Sequence, residues 1–225
     1  MISISVKSKN CFGCFFSTKF IMVITFTFIC SAMSALVFWI GTPAVPPGTG
    51  TSMDPFESIE FALTQIPANE YCVLKLHSGF YDDNVEHFVN RQLTIMSDSG
   101  NPYDVTVSEG FHFLNPGLNN QNIFVLKGTT FNNASLQVED NNNISIDKCI
   151  FKNCTTALSF QWGFRGEISN STFCFNGYGI SDYDGEYGGS RGTVANCLFY
   201  SNAHALSVNG VSLKNCTFEG NKVVS

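Results

Sequence analysis

Charged side chains are scarce in this chain, at 13% of 225 residues, and only 12 of them are Lys or Arg. Those bases are also badly placed for a polyanion. Lys7, Lys9 and Lys19 lie in the first nineteen residues, which hold no acid; beyond them 9 basic residues face 18 acidic ones. Nucleic-acid binding needs a concentrated positive surface, so nucleic acid is excluded as the main partner. The 4 histidines are scattered, and no Cys-x-x-Cys pair occurs beyond residue 41. That removes the ligand spacing of a zinc site. Phosphate loops and nucleophile elbows are missing as well, and no cofactor is expected. What the chain does have is Asn, Gly, Ser, Thr and 22 Phe, a mixture that suits short strands joined by tight turns.

Residues 20–40 form one run of 21 positions without a charge. About 20 helical residues cross a hydrocarbon core, and the lysines ahead of the run place its N-terminal side in the cytosol. The expectation is a cytosolic tail (residues 1–19), a transmembrane signal anchor (20–40), a Pro/Gly/Thr-rich linker (41–52) and a folded domain (53–225) in the lumen or outside the cell. The alternative is a cleaved signal peptide and a secreted protein, because Ala32 and Ser34 supply the small residues of a cleavage site. Against it, cleavage there leaves Leu36-Val-Phe-Trp-Ile40 at the start of the mature chain. Cys11 and Cys14 are juxtamembrane candidates for S-acylation.

Asp54-Pro-Phe-Glu57 reads as a helix start, with Asp54 as N-cap and Pro55 at the first helical position. Phe56, Ile59, Leu63 and Ile66 then share a face, and Pro67 ends the helix. So short a helix needs something to cover, and the open end of a sheet stack fits. Val73-Leu-Lys-Leu76 and Ser78-Gly-Phe-Tyr81 follow. This stretch, from Pro55 to Val85, resembles the first coil of pectinesterases and other pectin-lyase-like proteins, where a short capping helix precedes a strand and a Gly-x-Tyr turn. The resemblance implies a right-handed parallel β-helix.

A repeat runs through the remainder. Phe131, Phe151, Phe173, Phe199 and Phe218 are spaced by 20, 22, 26 and 19 residues. Five residues before each stands an aliphatic (Leu126, Ile146, Ile168, Val194, Leu213), and two before stands a small residue (Thr129, Cys149, Ser171, Cys197, Cys216). Seven after the first four stand Val138, Leu158, Ile180 and Leu206. Strand side chains alternate with period two. The aliphatic is out of phase with the Phe, so a bend must fall at the third residue before it: Gly128, Lys148, Asn170, Asn196, Asn215. Gly and Asn tolerate left-handed backbone there. Each unit thus reads as strand, one-residue bend, strand, looser turn, strand. The expected fold class is an all-β solenoid, a parallel β-helix, right-handed as the resemblance implies, with an N-terminal capping helix, behind a transmembrane or signal helix. Asn170, Asn196 and Asn215 are expected to form an amide ladder. Phe173-Cys-Phe-Asn176, Phe199-Tyr-Ser-Asn202 and Phe218-Glu-Gly-Asn221 are similar to the Phe-x-x-Asn repeats of polymorphic outer-membrane proteins. Their Gly-Tyr-Gly-Ile180 and Ala-His-Ala-Leu206 continuations are similar to the Gly-Gly-Ala-Ile repeats of the same adhesins. Ser225 falls in mid-rung without a capping element, so an incomplete product or another cover for that end is expected.

Cys72, Cys149, Cys154, Cys174, Cys197 and Cys216 lie beyond the apolar run. Stacked Cβ atoms about 4.8 Å apart suit a disulfide poorly, so a column of small buried thiols is expected, with Cys154 and Cys174 as the pair that could bridge. Five Asn-x-Ser/Thr sequons occur. Asn133, Asn143 and Asn153 sit at turns and are the expected glycosylation sites; Asn170 and Asn215, as ladder residues, are expected to be buried.

Two inserts lengthen the third and fourth repeats. Residues 161–165 and 182–191 gather Trp162, Arg165, Asp182, Tyr183, Asp184, Glu186, Tyr187 and Arg191. Aromatic faces stack on sugar rings, and paired carboxylates perform acid–base hydrolysis; two solvated polar loops explain the same composition. The Gln-Asp-Thr and Asp-Phe-Ile-Phe-Gly blocks of pectinesterases are missing, as are the Asn-Thr-Asp and Gly-His-Gly blocks of polygalacturonases. The function expected is a non-catalytic surface or luminal module for adhesion, binding a glycan or protein ligand. A carbohydrate-active enzyme using the inserts and an inactive truncated paralogue are the alternatives.

Overall fold

The computed structural model describes residues 35–224 except 43–44, 68–69, 83–84, 115–122, 140–142, 162, 164 and 183–190. The chain divides into two units, Met1–Ala32 and Met33–Ser225; the first lies outside the described residues.

Every described strand pairs parallel, in three sheets of 8, 7 and 6 strands. One rung is the sequence Ile123–Lys127, Thr130–Asn132, Leu136–Val138; the next, Asn143–Asp147, Ile150–Lys152, Thr156–Phe160, stacks upon it strand for strand. Six complete rungs of this form are described. The register is the one the repeat demands. Phe131, Phe151, Phe173, Phe199 and Phe218 stand directly over one another. Their rings stack at 5.1, 4.9, 4.8 and 5.0 Å with planes within 10°. The column continues downward through Val107 and Tyr81, so the Gly-x-Tyr turn places its tyrosine in the core. There its hydroxyl donates to the carbonyls of Ile40 and His77, and burial pushes its pKa up to about 12.

The predicted bend is present in every repeat: Gly128, Lys148, Asn170, Asn196 and Asn215 all have φ between 50° and 59°. The small residue after it has a defined task. Thr129, Cys149, Ser171, Cys197 and Cys216 each donate from Oγ or Sγ to the carbonyl two residues back, across the bend, at 2.7–3.5 Å. Thr, Ser and Cys alternate here because each offers one short donor.

Several expectations need correction. The looser turn is a second one-residue bend, at Asn133, Asn153, Phe175, Ser201 and Gly220, again with positive φ. Val138 does not stack with Leu158; Leu136 does, and Val138 opposes Phe160, because the first repeat is two residues shorter after its second bend. The Asn170–Asn196–Asn215 ladder exists but on the outside, each amide donating to the oxygen one rung below (2.7 Å to Asp147, then 3.3 and 3.4 Å), with all three residues exposed. The buried ladder is formed by the asparagines of Phe-x-x-Asn. Asn176 donates to Asn202 Oδ1 (3.0 Å) and Phe151 O, and Asn202 donates to Asn221 Oδ1 (2.9 Å) and Phe173 O. All six described cysteines are free thiols, Cys154 and Cys174 included.

The N-terminal assignment also changes. Leu36–Ile40, expected as the end of an apolar helix, is a strand, β1, paired in register with β2 (Cys72–Leu76) at the head of the eight-stranded sheet. Leu36, Phe38 and Trp39 are half-buried, Val37 is exposed and Ile40 is fully buried. The expected linker then folds back along it: Trp39 N donates to Gly50 O and Phe56 N to Trp39 O. The solenoid therefore starts before residue 53. The cap helix, α1, is Ile59–Gln65, and its N-cap is Ser58, whose Oγ accepts from Phe61 N, not Asp54. Phe56 lies ahead of the helix, bridged to Ile40, with its ring 5.5 Å from Phe38 and 5.3 Å from Phe61. Ile59, Ala62 and Ile66 are buried and Leu63 packs against the same core, so the helix covers the first strands as expected. Among the described residues no helix is long and apolar enough to cross a membrane; residues 20–34 lie outside them.

Candidate functional site

From Ile123 onward the first two corners of each rung are short bends with one left-handed residue apiece, whereas residues 98–104 lengthen the first corner of an earlier rung. In the later rungs the long connections leave at the third corner, where the six-stranded sheet returns to the eight-stranded one. The register fixes the consequence for the two inserts. Phe160 opposes Asp182 at their start and Glu167 opposes Thr193 at their end, so 161–164 and 183–192 leave the same corner of adjacent rungs. The connections from Phe113 to Ile123 and from Val138 to Asn143 leave that corner too. Arg165 heads its strand, half-buried; Asp182 closes its strand, half-buried; Arg191 is exposed two residues ahead of Thr193. Trp162, Tyr183, Asp184, Glu186 and Tyr187 lie outside the described residues.

Beside that corner the eight-stranded sheet carries an open groove of about 460 Å³, lined by Ile123, Asn143, Ser145, Glu167, Thr193 and Lys214 around Gly166. Gly166 occupies the column of Phe124 and Ile144 but adds no side chain. Its φ is +110°, and a Cβ there would stand 2.0 Å from Ile144 O, so the notch is built into the backbone. These residues carry no signal in the sequence: Glu167 and Lys214 are single charges on strands without motif spacing, and only the register unites them.

The outer sheet faces add paired rings. Tyr178 and His204 stack at 4.5 Å and 9°, and exposed Phe175 meets Tyr200 edge-on at 5.0 Å. A hydrogen bond to Cys174, with some burial, holds the Tyr200 pKa above its ordinary value, and burial raises Cys174. Inside the six-stranded sheet, His87 and Glu109 form a buried pair through Nε2 and Oε2, and one rung on His112 Nε2 lies 2.8 Å from Glu139 Oε1. Neither pair is legible in the sequence, because the partners are 22 and 27 residues apart. Among the described residues no group of three or more His, Cys, Asp or Glu side chains gathers as a metal site would.

Of the sequons, Asn133 and Asn153 sit exposed at the second bend, φ 58° and 59°, while Asn143 begins a strand, half-buried, in the lining of the groove. Asn170 and Asn215 are exposed, contrary to expectation, with their amides engaged in the outer ladder.

No curated protein and no solved structure matches the chain. Residues 116–225 match the family model described as a right handed beta helix region, which agrees with the parallel three-sheet solenoid that these residues form.

Proposed function

We propose that the chain is a non-catalytic, extracytoplasmic β-helix module that binds a glycan along the corner from which its long connections leave. The observation that carries this is the in-register origin of the two inserts on adjacent rungs. Rungs about 4.8 Å apart repeat a surface along one axis, which suits a polymeric ligand. Trp162, Tyr183 and Tyr187 in the insert sequences offer faces for sugar rings, and the groove on the eight-stranded sheet offers the mixed hydrogen-bonding side chains of Asn143, Ser145, Glu167, Thr193 and Lys214. The missing catalytic blocks of pectin-acting enzymes favour binding over turnover.

A glycan array with the secreted solenoid tests it. Trp162→Ala is expected to weaken binding about tenfold or more, the scale of one lost aromatic stack, with the circular dichroism spectrum unchanged. Asp182→Asn and Asp184→Asn are expected to leave binding intact. Depolymerisation of a glycan, abolished by those two changes, would replace the binding module with a carbohydrate-active enzyme.

A further inference from the structure

We propose that the peptide bond between Ser34 and Ala35 is hydrolysed during export, so that the mature protein begins at Ala35 and β1 is its first element. Residues 20–34 then leave with the leader and do not tether the mature solenoid. This goes beyond the ligand-binding reading and does not use it.

Leu36–Ile40 is held from both sides. Toward the solenoid all five residues pair with β2, and Leu36 N donates to Tyr71 O at 3.1 Å. On the other side Trp39 N donates to Gly50 O at 3.0 Å, Phe56 N to Trp39 O at 2.8 Å and Gly41 N to Phe56 O at 2.9 Å. Ile40 O accepts from His77 N and from the buried Tyr81 hydroxyl. Lys75 Nζ lies 5.1 Å from the centre of the Trp39 ring. Five residues of the uncharged run are therefore committed to the fold.

That commitment shortens what is left for a membrane. The uncharged stretch ahead of β1 is residues 20–35, which is 16 positions. As a helix it reaches about 24 Å, against a core of roughly 30 Å that takes about 20 residues. Extending the span upstream brings Lys19 into it. Only Ala35 would then separate the membrane from the first ladder bond at Leu36, whereas the headgroup layer alone takes roughly 5–7 Å on each side. A span of the usual length of about 20 residues would therefore compete with the solenoid for β1.

A leader peptide has no such conflict. Residues 20–29 are ten apolar or hydroxyl positions behind Lys19, and Ala32 and Ser34 are the small residues required ahead of the cut. Water adds across the amide, giving a Ser34 carboxylate and an Ala35 amine, one residue before the strand begins. The apolar Leu36-Val-Phe-Trp-Ile40 that counted against cleavage in the sequence is the strand that the fold requires.

The test is the full chain expressed through a secretory pathway, with intact mass, N-terminal sequencing and alkaline carbonate extraction. The expected result is a chain beginning at Ala35 that partitions into the soluble fraction. The double variant Ala32→Tyr, Ser34→Tyr, which changes nothing in the described solenoid, is expected to keep residues 1–34 and to stay in the carbonate pellet. A carbonate-resistant wild-type chain retaining residues 20–34 would overturn the proposal, as would a cut beyond Ile40 or an uncut cytosolic chain. Should the variant fail to accumulate, the wild-type N-terminus decides alone. None of these readouts involves a ligand, so they stand or fall apart from the glycan-binding reading.

Discussion

The Asn176 amide donates to Asn202 Oδ1 at 3.0 Å inside the solenoid, while Asn202 Oδ1 also accepts from the backbone N of Asn176. Each of these asparagines also donates to a phenylalanine carbonyl, Asn176 to Phe151 and Asn202 to Phe173. The side chain thus satisfies the backbone that the second bend leaves unpaired, where an apolar residue of similar size would satisfy none of it. Asn202→Ala is expected to cost about 1–3 kcal/mol, the cost of buried polar groups left without partners, read as a lowered urea midpoint with unchanged m-value. Asn196→Ala, in the exposed ladder, is expected to cost about 0.5 kcal/mol or less. Equal costs for the two would sink the distinction between an inner and an outer ladder.

The small residues of the Gly-Tyr-Gly-Ile180 segment are set by close approach to backbone. A Cβ on Gly177 would stand 2.4 Å from Thr155 O, and one on Gly179 2.5 Å from Ala205 O. Gly166 is tighter still, at 2.0 Å from Ile144 O with φ +110°. Carbonyl oxygens in a ladder cannot retreat as a side chain can. Gly166→Ala and Gly179→Val are each expected to lower stability by at least about 1–3 kcal/mol, the scale of overpacking. Gly79→Ala, whose Cβ would meet only Tyr81 ring atoms at 3.8–3.9 Å, is expected to be close to neutral. Thermal unfolding of the three variants side by side checks this.

The thiols give a pH prediction. Burial pushes Cys149 from 9.0 up to about 12, and Cys72, Cys154 and Cys197 up to about 11. A thiol whose pKa is higher in the fold binds its proton more tightly there. Its contribution is full below the unfolded value near 9 and is lost as pH rises toward 11–12. The folded protein should therefore lose stability across that window, and less of it in Cys149→Ser, which keeps a short donor for the Asp147 carbonyl without a group that ionises there. At neutral pH a thiol reagent should label these four cysteines only on unfolding. Rapid labelling of the native protein would contradict their burial.

The parts of the fold that are legible in the sequence are those fixed by period. Phe spacing and the phase break at Asn170, Asn196 and Asn215 locate both the strand register and the first bend, because a bend changes which face each residue presents. The second bend is not legible in the same way. Its positions hold Asn133, Asn153, Phe175, Ser201 and Gly220, and no residue type marks a left-handed φ when phenylalanine and serine adopt it. Which ladder is buried also escapes the sequence, since both consist of asparagines at fixed offsets from the same Phe. Leu36–Ile40 misleads for a different reason: five apolar residues adjoining an apolar run have no period of their own, and only pairing with Cys72–Leu76 separates them from it. The candidate site is legible as composition in the inserts, but the groove is made of single residues brought together by stacking.

His87 and Glu109 are the pair whose removal is most informative. His87 stands in the inward column continued by Phe111, Leu136 and Leu158, so an imidazole takes the place of an aliphatic, and Glu109 is 1% exposed beside it. The His87 ring also lies 4.9 Å from that of Phe111. Burying such a pair costs desolvation that the contact offsets only while both partners are present. His87→Leu alone and Glu109→Leu alone are therefore each expected to destabilise by about 3–5 kcal/mol, whereas the double change, which restores an apolar column, is expected to fall within about 1–2 kcal/mol of the parent. A double-mutant cycle by urea denaturation near neutral pH measures the coupling directly. Additive losses would show that the two side chains are held by the surrounding solenoid and not by each other.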